Sequence, residues 1–289
     1  LKISGFTFIR NAIILDYPIV ASIQSLLPIC HEVVVAVGQS DDDTLALIKA
    51  IDPKVKIIET VWDNTLRKNG QVLAVETDKA LAAIDPKADW AVYIQGDEVL
   101  HEDDYPAILT AMQKHLSNEL IDGLLFEYLH FYGSYDYVGV SNNWYKNEIR
   151  IIKPNRGIFS FRDAQGFRKK PNQKLKVAKA NARVFHYGWV KNPVAMQRKQ
   201  EDFNKLWHDD AWVEKHVKIA TSFDYEHHVH ELARFEGTHP KWIAERIAQR
   251  NWTFNADISI KKRTLKNKIK NILKIVGLNT DYINYTLIR

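Results

Sequence analysis

The chain has 289 residues, 46% of them hydrophobic and 26% charged, a soluble globular composition with enough length for one large core and a lid. A single cysteine, Cys30, excludes an internal disulfide and a Cys-rich zinc site, and no run reaches the roughly 18 apolar residues of a membrane span. The net charge of +5 is uneven: residues 261–289 hold eight Lys/Arg against one acid, so residues 1–260 sum to −2 and offer no basic body for nucleic acid.

In chain order, short Val/Ile-rich runs alternate with helical patterns, which predicts βαβ units and a mainly parallel sheet. Strands are expected at 3–9, 32–37, 55–59 and 90–94. Between them fall helices at about 18–27, capped by Asp16 with Pro18 in the first turn, at 44–51 and at 72–84. Beyond residue 97 the pattern predicts a helix at 105–116, a strand at 124–131 and a Tyr/Gly/Asn-rich loop at 132–147. Strands follow near 149–153, 158–161 and 183–190, then helices at 193–206, 225–236 and 240–250.

In an open α/β sheet, ligands bind beyond the carboxyl ends of the strands. Polar residues gather there: Thr7, Arg10 and Asn11 after the first strand, Ser40, Asp41 and Asp42 after the second, Asp97 and Glu98 after the fourth. Two acids ending a buried strand suit a hard cation that bridges phosphates, whereas the bland alternative is a cap for the next helix. Three polar strand ends together favour the cation. His227 and His230 would stand one turn apart on a helix, as would Asp224 and His227 or His228, but no second, distant ligand supports a metal site there.

On these motifs the sequence resembles the family-two glycosyltransferases of the GT-A fold over residues 1–190. The resemblance is carried by Phe8-Ile9-Arg10-Asn11, the acidic turn at 38–44, Gly70 with the helix at 77–81, and the DxD-like Gln95-Gly96-Asp97. The segments 148–153 and 185–189 look like the family's acceptor-side strands. It implies a Rossmann-like α/β fold with helices on both faces of the sheet. Residues 1–100 would form a nucleotide-sugar half, 101–190 an acceptor half, 191–260 a helical extension and 261–289 a basic tail. The activity implied is hexosyl transfer from a nucleotide-diphosphate donor to a glycan or lipid-linked acceptor, inverting, in cell-surface polysaccharide synthesis. Mn²⁺ or Mg²⁺ would be held by Asp97, Glu98 and His186, and the donor contacted by Thr7, Arg10, Asn11, Ser40, Asp42, Arg67 and Gln95. Asp163 is the expected general base, with Glu148 as alternative. Two departures stand out. The family's Asp pair at the end of the second strand is Val37-Gly38 here, and its first DxD acid is Gln95, which leaves the nucleobase open and Asp97 as the retained acid.

Residues 261–274 contain seven Lys/Arg and no acid, with Leu265, Ile269, Ile272 and Leu273 at helical spacing. This basic amphipathic stretch is suited to an anionic leaflet through 261–276, or to packing its apolar stripe on the domain. With no secretory signal ahead of the first strand, a cytoplasmic location is expected, peripheral on the inner face of the membrane if the tail binds it. Two other functions fit the fold class. A nucleotidyltransferase would need a Gly-rich basic loop after the first strand, which Phe6-Thr7-Phe8-Ile9-Arg10 lacks. A non-catalytic membrane-surface adaptor would account for the missing Asp pair.

Overall fold

The sheet begins as the alternation of apolar runs predicts. In the computed structural model, which describes residues 1–66, 68–208, 210–216, 220–227, 231–259 and 283–288, β1 (Ile3–Ile9), β2 (Glu32–Gly38), β3 (Val55–Thr60) and β4 (Trp90–Tyr93) run parallel in the order β3-β2-β1-β4. Odd and even positions of these strands feed opposite faces. Val33, Val35 and Val37 pack with α1 (Ile19–Leu26), while Val34 and Ala36 pack with α3 (Gln71–Ala82). Helix α2 (Thr44–Lys49) joins the first face through Ile48. A fully buried Val or Ile contributes about 1.5–3 kcal/mol, so near-continuous apolar strands are what a sheet covered on both faces requires.

Past β4 the direction mixes. β5 (Glu98–Leu100) follows at once, then α4 (Tyr105–Lys114) and β6 (Gly123–Tyr132). β8 (Asn147–Ile152) runs antiparallel between β4 and β6, and β11 (Gln173–Trp189) lies parallel to β6 and antiparallel to β5. β9 (Ile158–Phe161) and β10 (Gly166–Lys169) extend the sheet beyond β11. The parallel half with helices on both faces is as the GT-A resemblance implies, while the second half is more mixed in direction than the mainly parallel sheet expected.

Several local expectations change. β11 is far longer than the strand expected at 183–190; Leu175 and Val177 face inward between exposed Lys174, Lys176 and Lys179. Asn181, at φ 53, sits in the irregularity between Lys179 and Arg183 that bends this strand. The loop expected at 132–147 contains β7 (Tyr137–Gly139), which pairs with β12 (Leu232–Arg234), so the helix expected at 225–236 is absent there. Pairing across the chain satisfies the backbone that a helix would otherwise have closed locally. Asp16 does not cap α1; its carboxylate holds Arg246, at 2.5 Å.

Helices α5 (Pro193–Lys205) and α6 (Asp210–His216) follow β11, α7 (Ala244–Ala248) lies further on, and β13 (Tyr285–Leu287) returns to pair with β11. Among the described residues no helix is long and apolar enough to cross a membrane. Arg67, His228, His230 and the basic stretch 261–276 lie outside the described residues.

Candidate active site

The ends of β1, β4 and β11, together with α5, enclose a cleft of about 770 Å³. Arg10, Asn11, Asp41, Gln95, Asp97 and Asp163 all line it, as the sequence predicts for strand ends.

The turns after β1 and β2 hold each other. Asn11, at φ 52, accepts the Asp41 N–H at 2.8 Å and donates to the Asp41 carboxylate at 3.1 Å. Ser40 Oγ accepts the Asn11 N–H at 3.0 Å and donates to Gly38 O at 2.9 Å. Asp42 accepts the N–H groups of Ile13 and Ile14, at 3.0 and 2.9 Å. Burial pushes its carboxyl up, but bonds from Thr44, Ile14 and Ile13 outweigh this and hold it below the ordinary value. Ser40 and Asp42 are thus spent on the turn rather than offered to a donor, and Thr7 is buried within β1, away from the cleft. Where the family's Asp pair is expected, Trp62 packs on Gly38; a Cβ there would stand 2.4 Å from the indole Nε1. The Arg10 guanidinium lies 5.5 Å from the Trp62 ring centroid, which gives this end of the cleft an aromatic and cationic wall.

Asp97 and Glu98 diverge. Glu98 is fully buried and accepts from Arg150 twice, each bond 2.8 Å, and from the Tyr128 hydroxyl, also at 2.8 Å. Its oxygens are consumed, which corrects the expectation that Glu98 is a metal ligand. Asp97 lines the cleft instead. Its Oδ2 accepts from Lys199 Nζ at 3.0 Å, and its Oδ1 faces His186 Nε2 at 3.7 Å. Burial pushes the Asp97 carboxyl up, but Lys199, His186 and Lys191 more than offset this and hold it well below the usual carboxylate range.

Sheet register fixes the protons on this histidine. His186 in β11 is the neighbour of His130 in β6, and their Nδ1 atoms lie 2.9 Å apart. His130 Nε2 sits 2.8 Å from the Tyr145 carbonyl oxygen, which only accepts, so Nε2 carries the hydrogen. Burial, then His186, pushes His130 down to about 3, so its ring is neutral and its Nδ1 accepts from His186. Burial also holds His186 below its ordinary value despite Asp97. In the neutral ring the His186 Nε2 lone pair faces the Asp97 carboxylate, an arrangement that a cation stabilises. Gly188 leaves the space open, since a Cβ there would be 2.6 Å from His186 Nε2 and 2.8 Å from Asp97 Oδ2. Among the described residues no group of three or more His, Cys, Asp and Glu converges on a point. A two-donor site completed by diphosphate oxygens and water still fits a divalent cation, with the second histidine orienting the first.

The two base candidates separate. Asp163 lines the cleft, flanked by Arg162 and Ala164 at φ 60 and 62, and burial raises its carboxyl. Glu148 does not line the cleft; Gln165, which does, donates to its Oε1 at 2.6 Å. Burial, partly opposed by Arg150, pushes Glu148 up to about 7. Gln95 lines the cleft and donates to Ala164 O at 3.3 Å. Sequence reasoning misses Trp62, His130 and Lys199. Only Lys199 leaves a local signal, a cation at helical spacing between apolar Met196 and Phe203.

No protein-family model and no curated protein sequence matches the chain. Solved structures do. S. aureus TarS is 12% identical over 76% of this chain and 41% of its own, with a TM-score of 0.40. TarS 1-349 in complex with UDP is 11% identical over 76% of this chain and 68% of its own, with a TM-score of 0.39. Glucosyl-3-phosphoglycerate synthase from Mycobacterium tuberculosis, in complex with Mn²⁺, UDP and glucosyl-3-phosphoglycerate, is 21% identical over 46% of this chain and 45% of its own, with a TM-score of 0.31. The chain thus spans less than half the length of full TarS and of the synthase.

Proposed function

We propose that the chain is a glycosyltransferase that moves a sugar from a nucleoside-diphosphate donor to a hydroxyl of a glycan or lipid-linked acceptor. The observation that carries this reading is the Asp97–His186 pair at the carboxyl ends of β4 and β11, with Asp97 Oδ1 facing His186, no side chain at Gly188 between them, and His186 oriented by His130. Asp97 and His186 hold Mn²⁺ or Mg²⁺ in this reading, and the bound ion supplies positive charge where the diphosphate leaves. Arg10 and the Trp62 wall receive the nucleoside, with Asp41 and Asn11 beside it.

Asp163 takes the proton of the acceptor hydroxyl as that oxygen bonds to the anomeric carbon and the bond to the diphosphate breaks on the opposite face, inverting the centre. Burial suits it to the task, since a raised carboxyl is a better proton acceptor near neutrality. A thermal-shift screen of nucleotide sugars, each with Mn²⁺ and with EDTA, tests the reading. One donor at about 100 times its dissociation constant should stabilise the protein by about 2.7 kcal/mol in Mn²⁺. A flat response to every donor would remove the activity.

A further inference from the structure

Helix α5 brings to the cleft a charge that the α/β core does not supply. Met196 and Phe203 anchor one face of α5 in two separate apolar clusters, and Lys199 projects between them. Its Nζ donates to Asp97 Oδ2 at 3.0 Å and to Gly188 O at 2.9 Å. The Lys199 Nζ lies 5.0 Å from the Tyr17 ring centroid, and the Lys191 Nζ lies 4.4 Å from it. Lys191 is fully buried and donates to the backbone oxygen of Asp16 at 2.6 Å, the Asp16 carboxylate being held by Arg246. Asp202, further along α5, pairs with Lys205 at 3.5 Å.

Lys191 is thus spent on a backbone oxygen inside the protein, and of the two amines beside Tyr17 it is Lys199 that lines the cleft. Low-dielectric surroundings strengthen the attraction of the Lys199 ammonium for an entering anion. Asp97 meanwhile keeps Lys199 aimed at the cleft, so little reorganisation is needed on binding.

We propose that Lys199 binds the diphosphate of the donor from α5, so that the segment after β11 completes the donor site and holds charge on the leaving group. This rests on the donor reading above. Because Lys199 also holds Asp97, a loss confined to Mn²⁺ would act only through that metal ligand and would overturn the inference, whereas a direct contact to phosphate weakens the diphosphate in EDTA as well.

The test is calorimetric titration in Mn²⁺ and in EDTA with UDP, GDP, ADP, CDP and dTDP, followed by the nucleoside of the tightest binder. Lys199→Gln keeps a hydrogen-bond donor towards Asp97 without the charge, Lys199→Arg keeps the charge, and Lys199→Met removes both. Lys199→Gln should weaken the diphosphate about tenfold or more, the loss expected for one charged hydrogen bond. It should leave the nucleoside unchanged, with Lys199→Arg recovering most of the loss. Equal weakening of nucleoside and diphosphate by Lys199→Gln, or no weakening, overturns the inference while the donor reading stands. Should Lys199→Gln not fold, the same comparison on Lys199→Met decides it. If the wild-type protein binds none of the five diphosphates, the donor reading falls and this inference with it.

Discussion

Glu98 and Arg150 meet in a bidentate ion pair, two bonds of 2.8 Å between side chains that are both fully buried. The guanidinium also lies 5.2 Å from the ring centroids of Tyr93 and Tyr128. One residue along the chain, Asp97 faces the cleft. Adjacent acids thus serve different ends, one tying β5 to β8 beneath the site and the other forming part of its floor.

Removing one partner of a buried pair strands the other charge, at a cost of about 3–5 kcal/mol. Glu98→Gln should therefore lower the unfolding free energy measured in urea by that much, with a lower midpoint, while the Mn²⁺ response of the folded fraction persists. An unchanged midpoint with lost Mn²⁺ response would instead return Glu98 to the metal site.

Glu148 gives stability a pH dependence of defined sign. Its carboxyl keeps a proton up to about 7 in the fold, against 4.5 for an ordinary glutamate. The folded state binds this proton more tightly than the unfolded chain, so the contribution is full below 4.5 and is lost as pH rises through 7. Glu148→Gln keeps the neutral shape and should be more stable than wild type at pH 8, by at most about 3 kcal/mol, with no difference at pH 4.5. Melting curves at the two pH values check this; equal melting temperatures at pH 8 would refute it.

His130 is expected to act through His186. His130→Phe keeps an aromatic ring stacked on Trp144 but removes the Nδ1 acceptor that orients His186. Donor affinity in Mn²⁺ should fall about 10–100-fold, the usual effect of losing a partner behind a metal ligand, while affinity in EDTA stays the same. Equal losses in both buffers would mean that His130 matters only for packing.

Asp163→Asn should leave donor affinity intact and slow turnover about 10²–10⁴-fold, as for loss of a general base. Slow donor hydrolysis, with water as acceptor, provides the assay before the natural acceptor is known. Undiminished hydrolysis would discard Asp163 as the base.

The parallel half was legible because its strands are short runs rich in apolar residues whose alternate positions enter different cores. The first part of β11 was not, because Lys174, Lys176 and Lys179 interrupt its apolar positions and read as polar chain. β12 depends on β7, about a hundred residues away, and no local pattern announces such a pairing. At the site, Asp97 could be read as a strand end carrying an acid. That Glu98 turns inward depends on Arg150, and that His186 presents a lone pair depends on His130 in a neighbouring strand. Long-range register decides both.

The central claim is a nucleotide-sugar donor bound over Asp97 with a divalent cation. Calorimetric titration of the best-stabilising nucleotide sugar into wild type and Asp97→Asn, each in Mn²⁺ and in EDTA, tests it most directly. Mn²⁺ should tighten binding to wild type about tenfold or more and should do nothing for Asp97→Asn. The same affinity for both proteins, with the same gain from Mn²⁺, would contradict the assignment.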